Sequence, residues 1–186
     1  MIEVNIVYDK KKMELAQAML SEIKNGFPKA VSRAINRTAT NINVQASKLI
    51  KKEYTIKNKT KGVVTRATTS RLAGNINYRG RPRLLRQANF SVGMTKNGIS
   101  AKVERSSGRK VIPRTFIRAL RTSAAPGVMQ RKKGVPRYPV KVLYGPSLPQ
   151  MAGNVNVQPE VEKFIQKKMD ERLNHEVDAL LKGYAK

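Results

Sequence analysis

The sequence predicts an α+β fold, in which long N-terminal helices and a C-terminal helix pack with a small antiparallel β-sheet. Three observations lead there. Apolar residues recur at helical spacing over residues 28–53 and again over 159–182. Between these stretches the chain breaks into short β-prone pieces punctuated by Gly and Pro. Thr95-Lys96-Asn97-Gly98 supplies a hairpin turn between two of those pieces, because Asn-Gly tolerates positive φ.

The chain opens on Ile2, Val4 and Ile6, an alternation that suits one strand. Asp9 then caps a helix whose apolar positions include Met13, Ala16, Leu20 and Ile23, ended by Asn25-Gly26. Pro28 suits the first turn of a second helix, which continues to about Glu53. At about 100° per residue, Val31, Ile35, Thr38, Ile42, Ala46 and Leu49 fall within an arc of about 80°. Lys29, Arg33, Arg37, Lys48 and Lys51 lie opposite, so one face packs and the other is cationic. Strands are expected over 75–78, 90–94 and 99–105, with loops over 106–109 and 124–139. Gly145-Pro146-Ser147-Leu148-Pro149 reads as a stiff corner, since each proline fixes φ and lacks a donor. It delivers the chain to a last helix that carries Val161, Ile165, Met169, Leu173 and Val177 and is closed by Gly183. In domain terms, 1–53 is an N-terminal helical region, 54–155 a basic β-rich body with loops, and 156–186 a C-terminal helix, together one compact domain.

Charge dominates the composition. Of the 186 residues 40% are apolar but only 5% aromatic, so the core rests on Val, Ile, Leu, Ala and Met. There are 38 Lys and Arg against 12 Asp and Glu, a net charge of +26. Residues 1–22 hold 3 basic and 4 acidic groups, and residues 160–186 hold 6 of each. Residues 23–159 hold 29 basic groups against only Glu53 and Glu104, a net of +27. A basic body bracketed by two near-neutral ends points to a polyanionic partner: nucleic acid, acidic protein, or both.

Most catalytic chemistry is excluded by what is missing. Without cysteine there are no disulfides and no thiolate nucleophile. The single histidine, His175, sits among the charges of the last helix without partners for base or metal work, and reads as a surface or packing residue. A two-metal nuclease needs several carboxylates, and the basic body offers Glu53 and Glu104 alone. Glu22-Ile23-Lys24 has a nuclease-like spacing but falls at a helix end, and no Gly-rich phosphate loop is present. No cofactor, no metal and no enzymatic activity are expected. The start of the chain lacks the apolar stretch of a secretory signal, and no run approaches the length of a membrane span, so a soluble protein away from membranes is expected.

The positive signal lies in three cationic clusters. Arg79, Arg81, Arg83 and Arg86 form the first; Arg105, Arg109, Lys110, Arg114, Arg118 and Arg121 the second; Arg131, Lys132, Lys133 and Arg137 the third. Arginine grips phosphate through two parallel hydrogen bonds, and Gly and Pro keep such loops open to a backbone. These residues are the candidate contacts to DNA or to acidic partners. Tyr78 and Phe90 could stack on bases, but with so few aromatics, core packing is the better reading.

Two segments carry a family resemblance. Ala30-Val31-Ser32-Arg33-Ala34-Ile35-Asn36-Arg37-Thr38-Ala39 resembles a helix of the phage minor tail protein Z family. Arg137-Tyr138-Pro139-Val140-Lys141-Val142-Leu143-Tyr144-Gly145-Pro146-Ser147-Leu148-Pro149-Gln150-Met151 resembles its near-C-terminal signature. Phe116-Ile117-Arg118-Ala119 and Gly127-Val128-Met129-Gln130-Arg131 match loosely, with Met129 where the family has an aromatic. The resemblance implies a structural virion protein completing the head-proximal end of the tail and supporting head–tail joining and DNA passage. It also implies a sixfold homo-oligomeric ring around phage DNA, other tail and head-completion proteins as partners, and assembly in the host cytoplasm. Tyr144, Gly145, Pro146, Ser147, Leu148 and Pro149 would then make a subunit contact. The alternative is a general nucleic-acid-binding protein of ribosomal or nucleoid type, although such proteins tend to carry their charge in disordered tails.

Overall fold

The computed structural model describes residues 1–6, 8–120, 123–134 and 138–184. In chain order its elements are β1 (Ile2–Asn5), α1 (Lys10–Met19), α2 (Gly26–Glu53), β2 (Val63–Thr65), β3 (Asn75–Tyr78), β4 (Arg83–Leu84), β5 (Ser91–Thr95), β6 (Gly98–Lys102), β7 (Lys110–Pro113), β8 (Thr115–Leu120), β9 (Ser123–Arg131), β10 (Val140–Val142), β11 (Tyr144–Gly145), α3 (Leu148–Ala152) and α4 (Gln158–Tyr184). The α+β class holds, but the antiparallel strands form several small sheets rather than one. The residues group into two compact units. The first comprises Met1–Ser47, Lys61–Arg79 and Gly153–Lys186; the second comprises Lys48–Thr60 and Gly80–Ala152.

The first unit is built on two amphipathic helices. Along α2, Val31, Ile35, Thr38, Ile42 and Ala46 are buried as the periodicity requires. Past Ser47, where α2 enters the second unit, Ile50 is buried, while Leu49, expected to extend the stripe, is only half-buried. On α4, Val161, Ile165, Met169, Leu173 and Val177 form the matching buried stripe. Asp9 caps α1, its carboxylate accepting from the Lys11 amide at 2.9 Å. That helix ends at Met19, earlier than the expected Asn25-Gly26 stop. Tight turns follow, helped by the Ser21 hydroxyl donating to the Ala18 carbonyl, and Asn25 takes the left-handed conformation just before α2 begins. Gly183 does not close α4 either; it lies inside the final turn.

The sheet of this unit has the order β1-β3-β2. Two asparagines two helical turns apart on α2 hold its edge. Asn36 binds both backbone groups of Ala67, and Asn43 binds both backbone groups of Gly62, at 2.8–2.9 Å. Each side-chain amide thus satisfies a backbone pair just beyond one end of β2, Gly62 before it and Ala67 after it.

The second unit is mostly β. The hairpin expected at 95–98 is present, with Thr95 opposite Gly98 and β6 also pairing with β7. The positive φ falls on Gly98 alone (φ 136°), where a Cβ would lie 2.3 Å from the Ile112 carbonyl oxygen. β6 stops at Lys102, short of the expected 105, and Glu104 forms an isolated bridge with Tyr54.

The expected loop over 124–139 is largely strand. β9 pairs with β8 along most of its length and with β10 at Met129 to Arg131. Ala124-Ala125-Pro126-Gly127 is loop-like in composition, but β10 does not reach Pro126, so the residue lacking a donor sits where the ladder is one-sided. The stiff corner at 145–149 divides in two. Gly145 lies in β11 against the Phe90 ring, where a Cβ would come within 2.7 Å. Ser147 and Gln150 then form a reciprocal capping box at the start of α3, the Gln150 oxygen accepting from both the Ser147 amide and hydroxyl.

Candidate polyanion interface

The β8–β9 hairpin brings two of the three cationic clusters together. Successive side chains on a strand alternate between faces, so Phe116 and Arg118 share one, and Arg114 enters from the turn just before β8. The Arg131 amide donates to the Arg114 carbonyl at 3.0 Å, which sets those two residues across the hairpin from each other. The Arg131 guanidinium stands over the Phe116 ring, 5.0 Å from its centroid. Arg114, Thr115, Phe116, Arg131, Lys132 and Gly134 enclose a surface pocket of about 350 Å³. Three cations and one half-buried aromatic side chain therefore line one solvent-open site.

Arg114 holds a left-handed conformation (φ 58°), which costs a non-glycine residue about 1 kcal/mol or more. The turn around it is tied down: the Thr115 hydroxyl donates to the Ile112 carbonyl and accepts from the Ile99 amide. Gln130 reaches the Pro113 carbonyl at 3.2 Å. Glycine or asparagine would be more relaxed at this position than the arginine the turn carries.

The remaining cations separate into those engaged within the protein and those open to solvent. Arg83 is half-buried and donates to the Lys59 carbonyl at 2.9 Å, and burial lowers its pKa. Arg86 is half-buried, with its Nε enclosed and without a hydrogen-bond partner among the described residues. Arg105 donates to the Lys51 carbonyl at 2.9 Å. Arg109 bridges β5 and β6 through the Ser91 and Ser100 hydroxyls at 2.7 and 3.2 Å. Arg79, Arg81, Lys110, Arg114, Arg118, Arg131, Lys132 and Lys133 are exposed. Arg79 belongs to the first unit, so the first cluster is divided between the units. Arg121 and Arg137 lie outside the described residues.

Tyr78 and Phe90 are buried core residues, as their scarcity led one to expect. The aromatic at the cationic site is Phe116, which the linear sequence did not single out. Only the hairpin register places it under Arg131. Of the turn at 144–149, Ser147, Leu148 and Pro149 are buried, and Tyr144 is exposed. His175 is exposed on α4, and among the described residues no three His, Asp or Glu side chains are placed to hold a metal ion.

The units differ sharply in charge. The first holds 17 Lys and Arg against 10 Asp and Glu, net +7; the second holds 21 against 2, net +19. Every ion pair among the described residues lies in the first. The second unit therefore has no internal counter-charge to speak of, and of its exposed arginines Arg105 is held by a carbonyl, Arg109 by two hydroxyls and Arg131 by a ring.

No helix among the described residues is long and apolar enough to cross a membrane. Comparison with curated proteins and with solved structures finds no match. The family model for prophage minor tail protein Z (GPZ) matches residues 11–186, taking in the whole second unit, the helices α2 and α4 and the signature at 137–151. That family comprises structural proteins of the phage tail, which work within the virion among other tail proteins. Matched from its eleventh residue to its last, this chain belongs to the prophage minor tail protein Z family.

Proposed function

We propose that this chain completes the head-proximal end of a phage tail as a homo-oligomeric ring, with the β8–β9 face of its second unit turned toward the DNA channel. One observation carries the reading: a unit of net +19 with two carboxylates presents a cationic, partly aromatic pocket to solvent. Such a surface repels its own copies unless a polyanion lies between them. DNA in the channel supplies that polyanion, and the guanidinium forks of Arg114, Arg118 and Arg131 suit phosphate oxygens. The mixed charges of the first unit suit protein neighbours, including acidic head-completion or tail proteins. A subunit contact through the 144–149 segment runs through Tyr144, since Ser147, Leu148 and Pro149 are buried within the second unit. The role is positional and electrostatic, with no bond made or broken by the chain.

Cryo-electron microscopy of intact particles tests this directly. Density for the chain as a ring at the head–tail junction, with the hairpin facing the DNA, is the expected result. Complete particles without it there, or a ring with the hairpin buried against protein, would overturn the proposal.

A further inference from the structure

We propose that the first unit carries a phosphate-binding pocket of its own, separate from the β8–β9 face. Arg37 on α2, Arg66 just after β2 and Arg172 on α4 converge on a cavity of about 340 Å³, completed by Asn36, Thr40 and Asn41. Three guanidiniums from three elements surround one space. None of these arginines belongs to the cationic clusters that the sequence displays.

The pocket is built, not incidental. Asn36 fixes both backbone groups of Ala67, at 2.8 and 2.9 Å, and so anchors the segment that presents Arg66. Glu176 is buried (4% exposed) and pairs with Arg37 through Nε at 3.1 Å, with Arg33 at 4.0 Å. Arg172 stands one turn before Glu176 on the same helix, so the carboxylate orients Arg37 beside it. Arg66 and Arg172 make no hydrogen bond or ion pair among the described residues, although Arg172 is half-buried.

This arrangement favours phosphate over a further carboxylate. A carboxylate is planar and is satisfied by one guanidinium fork, a role Glu176 already fills for Arg37. A phosphate group is tetrahedral and offers oxygens in several directions, matching the unengaged forks of Arg66 and Arg172 beside the Glu176-held Arg37. The Asn41 amide adds a neutral donor to the wall, whereas the Thr40 hydroxyl donates its proton to the Asn36 carbonyl at 3.1 Å. The phosphate can come from a nucleic-acid backbone or from free phosphate, and the cavity admits either.

The full chain is titrated with inorganic phosphate by calorimetry and with a labelled single-stranded oligonucleotide by anisotropy over a range of salt. The Arg66→Ala/Arg172→Ala variant is compared with wild type and with Lys10→Ala/Lys11→Ala, which loses the same charge from the same unit. Phosphate affinity is expected to fall roughly tenfold or more in the arginine variant and less than about twofold in the control. If the slope of log K against log salt for the oligonucleotide also drops by about 1–2, the bound phosphate is that of nucleic acid. If the slope is unchanged while phosphate affinity falls, free phosphate is the ligand, and the pocket stands. Equal phosphate affinity in all three proteins overturns the proposal. So does a larger loss for a polyglutamate peptide than for phosphate, which would make this a carboxylate site. Arg66→Lys/Arg172→Lys keeps the charge without the forks and should be intermediate; wild-type affinity there overturns the recognition by forks. Far-UV circular dichroism of each variant should match wild type, because Arg66 and Arg172 make no hydrogen bond or ion pair among the described residues.

Discussion

The two units solve the problem of cationic excess in opposite ways. In the first, charge closes on itself: Lys12 meets Asp170, Lys168 meets Glu171, and the buried Glu176 faces Arg33 and Arg37. In the second, the only two carboxylates, Glu53 and Glu104, take part in no ion pair among the described residues. There Arg83, Arg105 and Arg109 are positioned by neutral partners, which orient a guanidinium without cancelling its charge. A cation neutralised internally contributes to folding. One left charged and open to solvent is available to a partner, and Arg81, Lys110, Arg114, Arg118, Arg131, Lys132 and Lys133 of the second unit are of this kind.

The largest expected effect breaks that contrast at its sharpest point. Arg114→Ala/Arg131→Ala/Lys132→Ala should lower the salt slope of DNA binding by about 3, roughly one unit for each phosphate no longer neutralised. Removing Lys10, Lys11 and Lys182 from the first unit, the same charge, should lower it by less than about 1. Fluorescence anisotropy over 50–300 mM salt, a range of roughly sixfold, would read both. Equal slopes would mean that net charge alone attracts DNA and that the β8–β9 pocket has no privilege.

Within the first unit the pairing around Glu176 should be asymmetric. Its carboxylate is buried, whereas the side chains of Arg33 and Arg37 are 58% and 61% exposed. Arg33→Ala/Arg37→Ala strands a buried charge and should cost about 3 kcal/mol in urea unfolding. Glu176→Gln leaves two arginines in water and should cost less than about 1 kcal/mol. Similar losses would show that the pair is an ordinary surface contact. In the second unit the comparable stress is steric. Gly145→Ala puts a methyl group into the Phe90 ring and should cost about 2 kcal/mol, measured by the same denaturation.

What the sequence reveals follows the range of each signal. The stripes Val31 to Ala46 and Val161 to Val177 repeat at the period of one helix, so they can be read without knowing what covers them. The strand at 75–78 and the hairpin turn at Gly98 are equally local. β9 escapes notice because Pro126 and Gly127 are poor strand formers, accepted here by pairing with Ala119 and Arg118 of β8. The β8–β9 site depends on register: Arg114 and Arg131 lie in separate clusters until the hairpin sets them opposite each other. Asn36 and Asn43 resemble ordinary surface polar residues of a cationic helix, and only their clasp on Ala67 and Gly62 shows otherwise. Cationic clusters are visible as composition; which arginines are spent on carbonyls and which remain open is a tertiary fact.

The smallest effect tests how tightly the first unit is sealed. Tyr78 lies on the central strand of its sheet, 1% exposed, and its hydroxyl finds no hydrogen-bond partner among the described residues. A buried polar group left unpaired destabilises the fold, so Tyr78→Phe should stabilise it by about 1 kcal/mol at neutral pH. Burial also pushes the phenol pKa up to about 12. The ordinary value is about 10, so the unfolded chain ionises first. Stability linked to Tyr78 is therefore intact below pH 10 and is lost as pH rises from about 10 to about 12. Urea midpoints at pH 7, 9.5 and 11 should show the gap between variant and wild type widening only at the highest pH. A variant less stable than wild type at pH 7 would mean that the hydroxyl is satisfied in solution. A gap that stays constant with pH would mean that the phenol ionises as readily folded as unfolded, and that water reaches the centre of this sheet.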